Sequence, residues 1–296
     1  MLNLELLDRL LVAHREAYNF RVAEFDIGGK FLSFNTKPAV MGVINLSADS
    51  WYRESVCLSV EKAVQRGKIL IDQGANIVDI GAESTILSAA RVEESLQKSK
   101  LLPVIKELRS LNIPVSVESY SYEVICECLN AGANLINLTG TYQTEEIYRV
   151  ISDFNAGVII CYVEGKNVRE VGDYDFSKDP IDKMAEYFSK EIERALKSGV
   201  NKIFIDPGLG FYYKNLQDSS LRIRYQMETF LNTFRLRKLG YPICHALPHA
   251  FEYFCEEVRS AEPFFAVLAM LGKTDLFRTH EVPKIKAVLS TMDLMK

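Results

Sequence analysis

Short apolar runs alternate with longer amphipathic segments along most of the chain. Eight of these runs are rich in valine and isoleucine and show little polar alternation, which is typical of parallel strands covered on both faces. Segments with helical spacing separate the runs, and a further one follows the last run. The eight predicted strands are 39–46, 76–80, 114–118, 135–138, 157–163, 202–206, 242–245 and 276–279.

The order of these segments predicts the fold class. Eight consecutive βα units favour a closed (β/α)8 TIM barrel of the α/β class, with an open doubly wound sheet as the alternative. Gly74, Gly132 and Gly199 stand shortly before predicted strands, where a helix end favours a residue that accepts the left-handed conformation. The barrel is expected to span residues 37–296, because no low-complexity linker interrupts the alternation.

Residues 1–36 fall outside the predicted barrel. Leu4, Leu7 and Leu11 are spaced to form one apolar stripe on a short helix. A pair of glycines at 28–29 indicates the turn of a hairpin that follows this helix. The segment is therefore expected to form a helix and a hairpin that pack on the floor of the barrel.

Composition and charge narrow the class of protein. The 296 residues are 48% hydrophobic and 25% charged, which is typical of a globular protein with a large core. A net charge of −4 without a long basic run argues against a nucleic-acid partner. Glu5, Asp8 and Arg9 interrupt the first apolar stretch, and no run approaches the ~20 apolar residues of a membrane span. Six cysteines without a C-x-x-C pair indicate free thiols. We expect a cytoplasmic protein without membrane association.

Polar residues at the ends of predicted strands are the candidates for chemistry, because the interiors of barrel strands are packed core. Glu118 and Asp206 end two of these strands and Asn137 stands next to the end of a third, so they are expected to face one cavity. A carboxylate accepts two parallel N–H bonds, and an asparagine both donates and accepts. This set suits a flat heterocycle with an amidine-like edge.

A second group of residues suits an anion. Arg278 and His280 are two positions apart on the last strand, which puts them on the same face. Such a pair is suited to a phosphate, although a surface pairing of Arg278 with Asp275 or Glu281 is the alternative. Asn45 offers a neutral oxygen that would help to hold Mg²⁺ already bound to substrate phosphates.

At these residues the sequence resembles a known family. Six motifs occur in the order and spacing of dihydropteroate synthase, each at a predicted strand end, between residues 37 and 289. The resemblance implies a transferase of folate biosynthesis that joins a dihydropterin methyl diphosphate to p-aminobenzoate. The motifs are MGVINLSADSW, DIGAEST, VSVES, LINLTG, IDPGLGF and FRTHEV.

The resemblance also implies which residues hold the pterin. By their places in the motifs, Glu118, Asn137 and Asp206 would bind the ring, and Thr85 would lie beside it in a loop. The acid at position 118 is usually aspartate in the family, so Glu118 is one methylene longer than the family residue.

The diphosphate-binding residues follow from the same motifs. Asn45 together with Mg²⁺, and Arg278 together with His280, would hold the diphosphate. The apolar run 264–271 is interpreted as a buried helix or as the face of a homodimer.

The sequence departs from the family in two cationic loops. Ile86 and Leu87 stand where the family has Arg-Pro, and residues 246–249 read Ala-Leu-Pro-His where it has Ser-Arg-Lys-Ser. Removing one donor to a developing negative charge typically costs about 3–4 kcal/mol, on the order of 10²–10³ in rate. We therefore expect ligand binding to be retained better than turnover. Arg53, Lys214 and His249 are the candidates to replace the missing cations.

Two other functions remain as alternatives to the synthase reaction. A non-catalytic pterin-binding barrel would explain the missing cations. A pterin-dependent methyltransferase would use the same acid–amide–acid set without a diphosphate pocket. The motifs around Asn45 and Arg278 resemble the synthase branch and favour the synthase reaction over the methyltransferase.

Overall fold

A computed structural model gives the fold of the chain. The structure describes residues 2–47, 49, 53–84, 90–210, 213–248 and 250–295, without the side chains of Arg53 and of residues 256–258. The chain begins with two short helices, α1 (Leu4–Ala13) and α2 (Arg15–Asn19), and an antiparallel hairpin of β1 (Phe25–Ile27) and β2 (Lys30–Leu32).

Eight further strands form one sheet in which all neighbours are parallel. The prediction of eight strands is confirmed, because each predicted strand is present with ends that agree to within two residues. The strands are β3 (Ala39–Asn45), β4 (Ile77–Gly81), β5 (Val115–Ser119), β6 (Leu135–Leu138), β7 (Gly157–Cys161), β8 (Ile203–Asp206), β9 (Cys244–Ala246) and β10 (Leu276–Thr279).

The helices that follow these strands surround the sheet. Gly74, Gly132 and Gly199 have φ values of +103°, +106° and +91°, so they supply the left-handed residue at three helix ends. The helices are α3 (Val60–Asp72), α4 (Glu94–Ser110), α5 (Tyr122–Asn130), α6 (Thr144–Asp153), α7 (Pro180–Lys197), α8 (Ser219–Asn232), α9 (Phe251–Phe254), α10 (Ala261–Leu271) and α11 (Val282–Asp293).

The sheet closes into a barrel. Its strand order is β8-β7-β6-β5-β4-β3-β10-β9, and the two ends meet at a parallel bridge between Ile205 and Ile243. At the same seam the N–H of Ile205 donates to the carbonyl of Pro242 at 3.1 Å. The (β/α)8 barrel is thus confirmed, and the open sheet is wrong. Within the described ranges, no helix is long and apolar enough to span a membrane.

The N-terminal hairpin covers the end of the barrel where the strands begin. Phe25 and Phe34 each pack edge-on against Phe204 of β8, with ring centroids 5.1 and 5.3 Å away. The Nζ atom of Lys202, just before β8, lies 3.3 Å from a carboxylate oxygen of Asp26. Because the hairpin occupies this floor, the opposite end of the barrel is the one left for a ligand.

Candidate active site

Five of the residues singled out from the sequence lie at the carboxyl ends of their strands. Asn45 is the last residue of β3, and Asp206 is the last residue of β8. Glu118, Asn137 and Arg278 are the penultimate residues of β5, β6 and β10. Glu118 and Asn137 are also direct neighbours in the sheet register. All five therefore lie at one end of the barrel, which is where barrel enzymes build their active sites.

Arg278 links the acids of this end. Its Nε atom donates to Asp79 Oδ2 at 2.7 Å, and its Nη2 atom donates to Glu118 Oε2 in a short ion pair. Asn137 joins the same network, because its Nδ2 atom lies 3.4 Å from Asp79 Oδ2. The structure thus brings three predicted site residues together with a further residue, the acid Asp79, that was not assigned a role from the sequence.

Burial and mutual repulsion set the electrostatics of the cluster. Burial raises the pKa of Glu118 to about 7. Arg278 opposes this shift, whereas the charges of Asp79 and Asp206 add to it. For Arg278 itself, burial lowers the pKa, but Glu118 and Asp79 outweigh that effect and the net shift is upward. The site therefore holds a fixed guanidinium cation among several acids that compete for it.

Asp79 has an oxygen that the fold leaves unsatisfied. The side chain is completely buried, and Oδ2 receives the bonds from Arg278 and Asn137. Within the described part of the chain, no hydrogen-bond partner reaches Oδ1 of Asp79. A buried carboxylate oxygen without a donor is costly, so this atom is suited to receive an N–H group from a ligand.

Asp206 is held by the turn that follows β8. Its Oδ1 atom accepts the backbone N–H of Gly208 at 2.8 Å, and Gly208 adopts a left-handed φ of +72°. Burial raises the pKa of Asp206 to about 6, against hydrogen bonds from Gly208, the thiol of Cys244 and the N–H of Ala246. The side chain of Asp206 therefore stabilises the turn, as expected for an Asp-Pro-Gly sequence. It also lies at the mouth of the barrel.

Asn137 is fixed from both sides of its amide. Its Nδ2 atom is turned to Asp79, and its Oδ1 atom accepts from the Cys161 thiol at 3.4 Å. Burial raises the pKa of that thiol far above its usual range, so Cys161 stays protonated and can donate. The direction of the Asn137 amide is thus set by the protein.

Asn45 is the last residue of β3, directly before the loop that follows this strand. Its Nδ2 atom donates to Ser55 Oγ at 2.5 Å, which ties the amide to the end of that loop. A neutral amide oxygen at a strand end is a hard ligand of the kind that Mg²⁺ prefers. The side-chain oxygen of Asn45 is therefore a suitable ligand for the expected Mg²⁺.

Arg278 and His280 have different partners. The guanidinium of Arg278 is bound to Asp79 and Glu118, whereas Nδ1 of His280 lies 2.9 Å from Glu262 Oε1 on helix α10. The alternative of a surface pairing with Asp275 or Glu281 is wrong, since neither is a partner of Arg278. Asp275 binds Arg237 at 2.5 Å, and Glu281 lies near Arg259 and Lys284.

Some of the predicted positions fall outside the described part of the chain. Thr85, Ile86, Leu87 and His249 lie outside the described residues, as does the side chain of Arg53. The side chain of Lys214 is exposed, and its backbone N–H donates to the carbonyl of Gly172.

One residue that was not singled out from the sequence binds both described ends of the Thr85 loop. Arg169, in the segment between β7 and α7, donates from Nη1 to the carbonyl of Ser84 at 2.7 Å and to that of Ala90 at 3.4 Å. These two residues flank positions 85–89. No local pattern around Arg169 signals this contact, because its partners are 85 and 79 residues away in the sequence.

Comparison with known families and proteins identifies relatives of the chain. Residues 41–247 match the family described as pterin binding enzyme. The chain is 30% identical over 274 residues to the dihydropteroate synthase of Bacillus subtilis (strain 168), with 89% of this chain and 90% of that protein covered. It is 26% identical to the dihydropteroate synthase of Synechocystis sp., with 91% and 94% covered.

Solved structures show the same architecture. The dihydropteroate synthase of Clostridium difficile, determined in the presence of pteroic acid, superposes with a TM-score of 0.74 at 26% identity, covering 92% of this chain and 98% of that chain. The Xanthomonas albilineans enzyme with 4-aminobenzoic acid gives a TM-score of 0.77 at 24% identity, covering 93% and 98%. The chain therefore belongs to the pterin-binding enzyme family and, within it, to the dihydropteroate synthases, which are transferases of folate biosynthesis.

Proposed function

We propose that this protein condenses a dihydropterin methyl diphosphate with p-aminobenzoate at the carboxyl end of the barrel. The observation that carries the proposal is the buried acid–amide–acid cluster around Arg278. Its members come from five strands and meet at the one end of the barrel that the N-terminal hairpin leaves uncovered. They are Asp79, Glu118, Asn137, Asp206 and Arg278.

The pterin ring would bind to this cluster. The ring carries adjacent N–H groups along one edge, and a carboxylate such as Asp206 accepts two of them in parallel. Asp79 Oδ1, which lacks a partner among the described residues, is suited to a further N–H. The fixed amide of Asn137 adds one donor and one acceptor.

The diphosphate would lie between β3 and β10. Asn45 supplies a neutral oxygen for Mg²⁺, which would offset the charge that grows on the leaving diphosphate. Arg278 and His280, at the end of β10, would supply the other contacts, and Thr85 would lie beside the pterin. In the reaction, the amine of p-aminobenzoate forms a C–N bond with the pterin methylene. The C–O bond to the diphosphate breaks, and the amine loses one proton. The pteroic acid present with the C. difficile relative contains the same pterin–aminobenzoate linkage.

One observation favours a second candidate, pterin binding without efficient turnover. Strand β9 ends at Ala246 and is followed by Leu247 and Pro248, and none of these three residues carries a cationic side chain. The family places an arginine and a lysine in this segment. A barrel that keeps the pterin cluster and lacks these cations would bind its ligand and release diphosphate slowly.

A homodimer through helix α10 is proposed as the assembly. Phe264, Val267 and Leu271 are each more than one third exposed, and their spacing of three and four residues puts them on one stripe of the helix. Burying this stripe against a second copy would remove apolar surface from water. Sedimentation or light scattering would measure the mass, and a monomer at micromolar concentration would refute this assembly.

The pterin site is tested by the variant Asp206→Asn. The substitution removes charge-assisted acceptors worth roughly 1.5–3 kcal/mol per bond, so calorimetry should show at least a tenfold loss of affinity for 6-hydroxymethyl-dihydropterin. Asp72→Asn, at the exposed end of α3, is the matched control and should bind like the wild type. Equal affinity of all three proteins would mean that the ring binds elsewhere, and wild-type protein that binds no pterin would refute the proposed function.

A further inference from the structure

Glu262 is a buried carboxylate that the proposed chemistry does not use directly. It lies in the first turn of helix α10, and its side chain has no exposed surface. Burying a carboxylate is costly unless donors surround it. At this position the donors come from the end of β10, which is the segment that carries both Arg278 and His280.

Three successive residues direct donors at this carboxylate. The hydroxyl of Thr279 makes a short hydrogen bond to Oε2. The backbone N–H groups of His280 and Glu281 lie 3.2 and 3.3 Å from the same oxygen. The ring Nδ1 atom of His280 lies 2.9 Å from Oε1. Glu262 therefore binds the backbone and the side chain of His280 at the same time.

A second contact holds His280 from the opposite side. Arg66 of helix α3 donates from Nη2 to the carbonyl of His280 at 3.3 Å. The backbone of His280 is thus bound at its N–H and at its carbonyl by two different helices. Such double anchoring is the way a ligand-contacting side chain is kept in one geometry.

We propose that Glu262 is a positioning residue that sets the tautomer and direction of the His280 ring for binding a diphosphate. An acceptor-only carboxylate facing Nδ1 requires the proton on that nitrogen. Contact with an anion would then come through Nε2, on the other side of the ring. This inference rests on the proposed function, because it names the support of the diphosphate contact at the same site.

The tautomer can be measured without any ligand. The chain has four histidines, so ¹⁵N-labelled histidine gives few signals in an NMR spectrum, and His280→Gln identifies the one that belongs to His280. At a pH where the ring is neutral, we expect the Nδ1–H form of His280 to dominate in the wild type. A dominant Nε2–H form would overturn the proposal.

Ligand binding tests the consequence for function. Glu262→Gln keeps the size of the side chain but replaces one of its two acceptor oxygens by an NH₂ group, which can only donate. We expect it to weaken binding of 6-hydroxymethyl-dihydropterin diphosphate with Mg²⁺ about tenfold and to change the affinity for the bare pterin less than twofold. The double variant Glu262→Gln/His280→Gln should bind no more weakly than His280→Gln alone, because the two residues act through one contact.

Thr279→Val is the matched control. It removes one hydrogen bond of the same carboxylate and leaves the contact between Glu262 and the imidazole ring in place. It should bind the diphosphate within twofold of the wild type. If the losses of diphosphate affinity in Glu262→Gln and His280→Gln added fully in the double variant, Glu262 would have a merely structural role and the proposal would be overturned. Equal losses of affinity in Thr279→Val and Glu262→Gln would have the same meaning. Wild-type protein that binds no pterin diphosphate would count against the proposed function. The tautomer of His280, which is measured without ligand, would still show whether Glu262 positions the ring.

Discussion

Arg278 shows what a single residue reveals from sequence and what it does not. Its place near the end of a predicted strand was sufficient to expect a cation at the barrel mouth. Its partners were not predictable from local pattern, because Asp79 and Glu118 lie 199 and 160 residues away along the chain. Asp79 did give a signal, since it is the one charged residue in the otherwise apolar strand β4. Glu262 gave none, because its role depends on the packing of α10 against the end of β10.

The acid cluster makes a prediction about pH at the residue scale. Burial raises the pKa of Glu118 from its usual 4.5 to about 7. The folded protein therefore favours the protonated form more than the unfolded chain does. This stabilising contribution is fully present below about pH 4.5 and is lost as the pH rises through about 7.

Urea unfolding of wild type and Glu118→Gln at pH 5 and pH 8 measures this effect. On going from pH 5 to pH 8, the wild type should lose about 2 kcal/mol of unfolding free energy relative to the variant. Both proteins contain Asp79 and Asp206, so the difference isolates Glu118. An identical pH dependence of the two proteins would mean that Arg278 keeps Glu118 ionised throughout this range.

At the scale of elements, the strands were predictable and the loops were not. Strands buried on both faces need unbroken apolar runs, which can be recognised without knowledge of the fold. Loop conformations depend on contacts between distant segments, such as Arg169 with the carbonyls of Ser84 and Ala90. The candidate site was therefore predictable where it lies on strands, and the conformations of the loops around it were not.

One buried ion pair lies at the closing seam of the barrel. Asp275 Oδ2 accepts the N–H of Ile243, the residue that bridges to β8. Arg237 binds Asp275 Oδ1 at 2.5 Å and also donates to the carbonyl of Phe20 in the N-terminal segment. Burial raises the pKa of Asp275 to about 6, against the opposing effect of Arg237. The pair therefore joins the seam, the floor and the N-terminal segment.

Arg237→Met should be strongly destabilising. It leaves Asp275 buried without its cation, which typically costs 3–5 kcal/mol. Lys238→Met is the neighbouring control, since its partner Glu16 is exposed and such a pair contributes roughly 0–1 kcal/mol. Denaturant unfolding compares the two variants, and a cost for Arg237→Met no larger than for Lys238→Met would show that the seam does not depend on this pair.

In the whole molecule, the contacts that close the floor of the barrel and the candidate active site lie at opposite ends of the barrel. The aromatic contacts of the hairpin with Phe204 and the Arg237 contacts close one end, and the acid cluster with its loops forms the other. We propose that residues 1–36 and the barrel of residues 37–296 fold as one unit, since Arg237 binds both. Loops can then change while the strand ends that would hold the pterin stay in place.

This separation predicts that ligand binding survives better than turnover. Wild-type protein should be stabilised by 6-hydroxymethyl-dihydropterin diphosphate with Mg²⁺, by about 2.7 kcal/mol at a ligand concentration of 100 times Kd. Its turnover should be slower than that of the B. subtilis relative assayed beside it, by on the order of 10²–10³ for each missing cation. The variant Leu247→Arg/Pro248→Lys returns two cations to the segment after β9 and should raise kcat more than it lowers KM, because such donors act on charge that develops in the transition state. Wild-type turnover equal to that of the relative would contradict this prediction. It would mean that Arg53, Lys214 or His249 already replaces the missing cations.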